Sequence, residues 1–258
     1  MNTVKMQNGV VISSVSLQGC REEQQDYRIS RQLPDRTIAI VCDGMGGMEG
    51  GSIASRHAAK LLLADLEQIS PRANMYEFFK YELEKLDDAV FGLRKQDGSR
   101  MGAGTTIVAT LIFGNLLYWF SVGDSKLYYV RGKEMHCVTR EHNYALRLES
   151  ETENHLTTEE KKQLKAEKGE QLISYLGMGT AELFDSNYNP FEMQKGDKIL
   201  LCTDGVYRTL SELEIKRILL GQDSTEGICR LLEQGIAGKN KRNQDNATWI
   251  VLQKMGEE

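Results

Sequence analysis

The sequence predicts an α+β fold in which a central antiparallel β-sandwich is flanked by pairs of helices. Apolar periodicity changes along the chain in the order strands, two helices, strands, a polar excursion, a strand, two helices and a closing strand. The strands are short and several are joined by tight turns, which suits antiparallel pairing, whereas parallel strands need long crossovers. Paired helices then have the outer faces of the sheets to cover.

The bulk composition is that of one globular domain. The chain has 258 residues and three prolines, so we expect a single domain over 1–258. A net charge of −5 offers no basic surface for nucleic acid or membrane, and no apolar run approaches the roughly 20 residues of a membrane span. The start of the chain lacks a signal-peptide pattern, and five cysteines without a CxxC pair favour a reducing, cytoplasmic compartment.

The first half of the chain contains the clearest local patterns. A β-branched segment at 10–17 and a continuous apolar run at 37–42 predict strands, and apolar residues spaced by three and four predict helices at 53–69 and 75–93. Four more strands are predicted at 104–113, 116–122, 126–130 and 135–138. Because tight turns join them, we expect these four strands to form one antiparallel meander.

The second half begins with a polar excursion at 143–171, rich in Glu and Lys, in which Thr157 to Glu160 resembles a capping box ahead of a helix. We expect this excursion to lie exposed on the rim of the fold and to be partly helical, in the simplest case a solvated helix. The remaining elements are a strand at 197–203, helices at 211–220 and 225–236, and a strand at 247–253.

Two of the apolar strands end in the same dipeptide, Asp43-Gly44 and Asp204-Gly205. A carboxylate at a strand end is rigidly held, and the glycine allows the chain to turn sharply. Carboxylates converging from adjacent strands would repel each other and need a cation, and oxygen ligands select Mg²⁺ or Mn²⁺. The ordinary alternative is a plain turn, because Asp-Gly is a common turn dipeptide.

Further motifs accompany the two Asp-Gly pairs. They are Arg21-Glu-Glu-Gln-Gln-Asp26, Gly102-Ala-Gly-Thr-Thr106, Gly123-Asp124-Ser125 and Asp245-Asn-Ala-Thr248. Each alone has an ordinary explanation, such as an ion pair or a turn. In this order and spacing the set resembles the metal-dependent serine/threonine protein phosphatases of type 2C in their compact bacterial form, over about residues 10–252.

The resemblance implies a cleft at one end of the sandwich that binds two Mn²⁺ or Mg²⁺ ions. Whether a third divalent ion also binds is left open. Asp43 would bridge both ions, the Gly44 carbonyl would bind one, and Asp204 and Asp245 would bind the other. Asp124, together with Asp204, matches a third metal position. The ions would activate water for in-line attack on phosphorus, without a phosphoenzyme.

The resemblance also gives Arg21 and Asp26 roles in catalysis. Arg21 would bind the phosphoryl oxygens, with a surface ion pair to Glu22 or Glu23 as the alternative, and Asp26 would orient metal-bound waters. Met45 and Met48 occupy positions where eukaryotic and many bacterial members, respectively, carry histidine, which leaves a water as the candidate proton donor. His142 is expected to be structural, and no role is assigned to His57 or His155. The resemblance further implies that 143–171 is a flap beside the active site that would contact the substrate protein, with a plain solvated helix as the alternative.

The implied partners are a phosphoprotein substrate and a serine/threonine kinase whose work is reversed, with the phosphatase acting as a cytoplasmic monomer. Two alternatives stay open at this point. One is a catalytically inactive, phosphatase-like binding module, which the presence of Asp43, Asp204 and Asp245 disfavours. The other is a hydrolase of small phosphate esters, for which the sequence shows no base-binding or sugar-binding motif.

Overall fold

The computed structural model describes residues 2–7, 9–47, 49–149 and 156–256, so Met48 and His155 lie outside the described residues. The strands are β1 (Asn2–Gln7), β2 (Val10–Leu17), β3 (Tyr27–Gln32), β4 (Arg36–Cys42), β5 (Gly44–Met45), β6 (Gly104–Thr105), β7 (Ile107–Phe113), β8 (Leu116–Val122), β9 (Lys126–Arg131), β10 (Glu134–Cys137), β11 (Asp185–Ser186), β12 (Phe191–Glu192), β13 (Lys198–Cys202) and β14 (Ala247–Lys254). The helices are α1 (Gly50–Gln68), α2 (Met75–Phe91), α3 (Tyr144–Glu149), α4 (Thr158–Lys168), α5 (Asp204–Tyr207), α6 (Glu212–Gly221) and α7 (Thr225–Gly238).

Two antiparallel sheets form the centre of the fold. The first sheet has the strand order β1-β2-β14-β13-β9-β10, and the second has the order β11-β8-β7-β4-β3, with β12 also paired to β8. Helices α1 and α2 cover the outer face of the second sheet, and α6 and α7 cover the outer face of the first. The expected α-β-β-α sandwich is therefore confirmed. Within the described residues, no helix is both long and apolar enough to cross a membrane.

The continuous apolar run of β4 is explained by burial on both faces. Ala39 and Val41 face the first sheet in the central core, whereas Ile38, Ile40 and Cys42 pack under α1 and α2. A strand buried on both sides carries apolar residues throughout rather than in alternation. This places the end of β4, and hence Asp43, on a rigid element of the fold.

Two expectations about the strands are wrong. The strands predicted as one meander are divided between the sheets, because β7 and β8 belong to the second sheet and β9 and β10 to the first. The chain crosses over at Gly123, whose φ of 98° favours glycine and where a Cβ would lie 2.6 Å from the Thr106 side chain. The strand predicted at 104–113 is also interrupted at Thr106, because β6 pairs with β5 rather than continuing β7.

The excursion contains α3 and α4. The Thr157 capping box is present: the Glu160 N–H donates to Thr157 Oγ1 at 3.3 Å, and the Thr157 N–H donates to Glu160 Oε2 at 2.8 Å. No residue of α4 is buried, which matches the solvated helix considered as the simpler explanation. Beyond this helix, the chain returns to the sandwich where Leu176 pairs with Thr105.

Candidate active site

The strand-end aspartates Asp43 and Asp204 meet across the sandwich. Asp43 follows β4 in the second sheet, and Asp204 follows β13 in the first, so they come from facing strands and not from adjacent ones as expected. Both carboxyl groups line the same cleft and interact electrostatically. Burial first, then the charges of Asp26, Asp204 and Asp124, raise the pKa of Asp43 well above its usual range.

Asp26 lies beneath this pair and is buried. Thr203 Oγ1 donates to Asp26 Oδ2 at 2.8 Å, and the Thr248 N–H donates to Thr203 Oγ1 at 3.0 Å. Burial raises the pKa of Asp26 to about 7 against the opposing hydrogen bond from Thr203. Among the described residues, Asp26 Oδ1 is buried with no hydrogen-bond partner, so one carboxylate oxygen is left for a group from outside the chain.

Asp245 joins the cluster from the loop before β14 and is paired with Arg21. Arg21 Nη2 donates to Asp245 Oδ2 at 2.7 Å, and among the described residues this is the ion pair of Arg21, in place of the one with Glu22 or Glu23 considered from the sequence. Asn246 holds the two loops together, because its amide donates to the Gln18 and Glu23 carbonyls at 2.8 and 3.0 Å. Sequence reasoning missed this role of Asn246.

Asp124 reaches the cluster from the crossover between the sheets. Asp124 is 5% exposed, and burial followed by the charge of Asp204 raises the pKa of its carboxyl to about 6. The crossover is held by buried His142, whose Nδ1 accepts a hydrogen bond from the Gly123 N–H at 3.2 Å, and by Tyr207, whose hydroxyl donates to the Asp124 carbonyl at 3.1 Å. His142 is thus structural and positions Asp124.

Thr105 and Thr106 position Asp43. The Asp43 N–H donates to Thr106 Oγ1 at 3.0 Å, and Thr105 Oγ1 donates to the Asp43 carbonyl at 2.9 Å. Gly44 is required by close packing, because a Cβ there would lie 2.1 Å from the Gly51 carbonyl oxygen of α1. The Gly102–Thr106 motif therefore acts through its threonines as well as its glycines, which the sequence alone did not show.

The carboxylates form the floor of an open cleft of about 1620 Å³. Its lining also includes basic residues, namely Arg21, Arg94, Lys95 and Arg208. Glu170 and Leu172, at the end of the excursion, lie on its rim. The cleft thus combines an acidic floor with basic walls, an arrangement that can hold cations below an anionic ligand.

The donor set fits hard divalent ions, since it consists of carboxylate oxygens with one buried oxygen unpartnered. As placed, however, no three His, Cys, Asp or Glu side chains in the described part of the chain are grouped as a ready metal site. Two arginines are instead paired with these carboxylates: Arg21 engages Asp245, and Arg208 engages Asp204 at 2.9 Å and Asp124 at 3.4 Å. These guanidinium groups neutralise the carboxylates that a metal ion would otherwise hold.

The sequence comparison identifies the family. The family model described as "Protein phosphatase 2C" matches residues 21–251. This chain belongs to the protein phosphatase 2C family. The resemblance recognised from the motifs is therefore confirmed, and this type 2C phosphatase is a hydrolase of the serine/threonine protein phosphatase class.

Named relatives and solved structures agree with the assignment. Protein phosphatase PhpP of Streptococcus pneumoniae serotype 2 is 30% identical over 247 residues, which cover 92% of this phosphatase and 94% of the relative. The S. agalactiae serine/threonine phosphatase structure has a TM-score of 0.78 at 25% identity, covering 95% and 99% of the two chains. The catalytic domain of PstP, solved in complex with two manganese ions, has a TM-score of 0.72 at 24% identity and covers 96% and 99%.

Proposed function

We propose that the chain removes phosphate from phosphoserine and phosphothreonine in proteins, using two Mn²⁺ or Mg²⁺ ions bound at the floor of the cleft. Their ligands would be Asp43, the Gly44 carbonyl, Asp204 and Asp245. The observation that carries this proposal is the convergence of carboxylates from both sheets at one end of the sandwich. PstP, which shares this fold, is described with two manganese ions.

Bound divalent ions would offset the negative charge of the phosphoryl group and activate a water for in-line attack. The protein's own part is to hold the carboxylates and the substrate. With Asp245 as a metal ligand, Arg21 would be free of its ion pair, and its forked donors would be able to bind the phosphoryl oxygens. Asp26, held by Thr203, keeps its free oxygen for a hydrogen bond to water beside the ions.

The proton for the leaving oxygen comes from water in this proposal. Met45 follows Gly44 and lines the cleft, but its thioether has no proton to give. Asp124 lies behind Arg208, to which it is paired. A water positioned in the open cleft is therefore the proton donor we propose.

The shape of the cleft supports a protein substrate over a small phosphate ester. It is wide and open, and the exposed Arg94 and Lys95 on its wall can contact chain on either side of a phosphorylated residue. An inactive binding module would not need the complete set of carboxylates that is present here. We further propose a serine/threonine kinase as counterpart, and action as a cytoplasmic monomer, for which the five free cysteines favour a reducing compartment.

The test is hydrolysis of a phosphothreonine peptide and of p-nitrophenyl phosphate with Mn²⁺, with Mg²⁺ and with EDTA. We expect metal-dependent turnover with a higher kcat/KM for the peptide, and a fall of about 10–100-fold in Arg21→Gln, from the loss of a bidentate phosphate contact. Arg217→Gln, an exposed change on α6, is the control and should match wild type. Turnover in EDTA, or preference for the small ester, would contradict the proposal, and a folded but inactive protein would support the binding module.

A further inference from the structure

Arg208 lies among three carboxylates at the edge of the proposed metal centre. Its Nε is 2.9 Å from Asp204 Oδ2, its Nη2 is 3.4 Å from Asp124 Oδ2, and its Nη1 is paired with Glu170 Oε2. All three guanidinium nitrogens therefore face a carboxylate. The side chain is only 34% exposed, so this is a partly enclosed cation and not a solvated one.

The local sequence fixes this position. Asp204 and Arg208 are four residues apart in the turn of α5, and the Arg208 N–H donates to the Asp204 carbonyl at 2.8 Å. Residues four apart on a helical turn lie on the same face, which directs the guanidinium towards the Asp204 carboxylate. Tyr207, next in the chain, anchors the Asp124 carbonyl, so the two aspartates are held on either side of the arginine.

Asp124 depends on this arginine for its counter-charge. Its carboxyl is nearly fully buried, and an unpaired carboxylate there would be strongly unfavourable. Lys126, two residues along the chain, is instead paired with Glu141 at 2.7 Å and stacked over the Tyr207 ring. Glu170 is 82% exposed, so its ion pair with Arg208 contributes little and the contacts to the two aspartates matter most.

A third divalent ion bound between Asp124 and Asp204 would compete with Arg208 for their Oδ2 atoms. A guanidinium keeps its charge at any relevant pH, so a divalent ion would have to displace Arg208 to bind between these two carboxylates. We propose that Arg208 is a built-in cation that takes the place of a third metal ion in this phosphatase, leaving it a two-ion enzyme. Asp204 Oδ1 remains available for the two-ion centre. This inference rests on the proposed two-ion function.

The experiment counts bound Mn²⁺ by equilibrium dialysis of the metal-free protein at saturating Mn²⁺. We expect two ions per chain in wild type and three in Arg208→Ala, where the vacated carboxylates accept an ion. In the double variant Arg208→Ala with Asp124→Asn the count should return to two. Glu170→Gln, which changes the exposed contact alone, is the matched control and should keep the wild-type count.

The outcomes separate this inference from the proposed function. Three ions in wild type, or two in Arg208→Ala, would overturn the role of Arg208 while leaving a metal-dependent phosphatase intact. No bound ion and no hydrolysis in folded wild type would instead overturn the proposed function. Thermal unfolding gives a second readout for a weakened variant: Mn²⁺ should raise the Tm of Arg208→Ala by more than it raises that of wild type, and an equal or smaller rise would overturn the inference.

Discussion

The buried carboxylate of Asp87 ties the segment that follows the excursion to helix α2. Its Oδ1 accepts hydrogen bonds from the Gly177 N–H at 2.6 Å and the Gly179 N–H at 3.2 Å, and its Oδ2 accepts one from the Ala181 N–H at 2.9 Å. This segment begins beside Leu176, which pairs with Thr105. We therefore expect Asp87→Asn to destabilise the protein and to loosen this segment in particular.

The magnitude follows from the three hydrogen bonds. In Asp87→Asn, the side-chain oxygen can still accept from the Gly177 and Gly179 N–H groups. The amide nitrogen then faces the Ala181 N–H, and because both are donors no hydrogen bond forms between them. Losing one charge-assisted bond costs about 1.5–3 kcal/mol, and the two remaining bonds weaken when the charge is removed. The expected fall in the free energy of unfolding is therefore about 3 kcal/mol, and about 4–5 kcal/mol for Asp87→Ala, which removes all three acceptors.

Urea unfolding and amide hydrogen exchange measure the two effects. Exchange at residues 177, 179 and 181 should accelerate in Asp87→Asn by more than exchange in the core strand β4. The neighbouring Asp88→Asn is the matched control, because Asp88 is exposed on the same helix and its change should alter stability by no more than about 0.5 kcal/mol. Equal stability of the two variants would refute the argument that Asp87 anchors the segment.

Three further predictions concern other parts of the molecule. Burial raises the pKa of Glu82 from 4.5 to about 7. The protonated carboxyl therefore contributes fully to the free energy of unfolding below pH 4.5, and this contribution is lost as pH rises through 7. Glu82→Gln should remove up to about 3 kcal/mol of this pH dependence, measured by unfolding between pH 5 and 8. Gly205→Ala should lower the free energy of unfolding by about 2–3 kcal/mol or more, because its Cβ would lie 1.9 Å from the Asn246 carbonyl oxygen. Replacing both Arg94 and Lys95 by Gln should raise KM several-fold for a phosphopeptide with acidic flanks and leave kcat unchanged in steady-state assays.

Each of these predictions has a result that contradicts it. A Glu82→Gln variant with the pH profile of wild type would show that the carboxyl is ionised without penalty. A Gly205→Ala variant as stable as wild type would mean that the loop before β14 moves away freely. For the cleft wall, the double change of Lys133 and Arg217 to Gln is the control, since both are exposed and neither lies among the cleft-lining residues of the described chain. An equal rise of KM in that control would attribute the effect to net charge alone.

The sequence predicted elements well where burial is local and periodic. Strand β4 and helices α1 and α2 were predicted because their apolar residues follow one period over many positions. Strand β3 was missed because it is an edge strand with half-buried polar residues, which hide the alternation. The assignment of strands to sheets was also missed, since the pairing of β2 with β14 joins the two ends of the chain and leaves no local signal.

The candidate site shows the same division. Asp43 and Asp204 were found from the sequence because each follows an apolar strand and precedes a glycine. Thr106 and Asn246 were missed, because a residue that positions a ligand carries no mark of its own until long-range contacts bring it to the site. Arg208 was missed although its spacing of four residues from Asp204 is a local signal. The pair of Arg21 with Asp245 could not be predicted from the sequence, since the two residues are 224 positions apart.

The most direct test of the account is made on Asp43→Asn and wild type. Calorimetric titration with Mn²⁺ counts the bound ions, and hydrolysis of a phosphothreonine peptide measures activity. Asp43 lies at the end of a strand of one sheet, yet it is proposed to bridge ions whose other ligands, Asp204 and Asp245, come from beyond that sheet. We predict that this single change abolishes binding of both ions and lowers kcat/KM by at least about 10³-fold. The Tm of the metal-free protein should stay at or above that of wild type, because a carboxyl group whose ionisation is disfavoured by burial is removed. Retention of two Mn²⁺ ions with wild-type turnover would contradict the assignment of this carboxylate cluster as the metal centre.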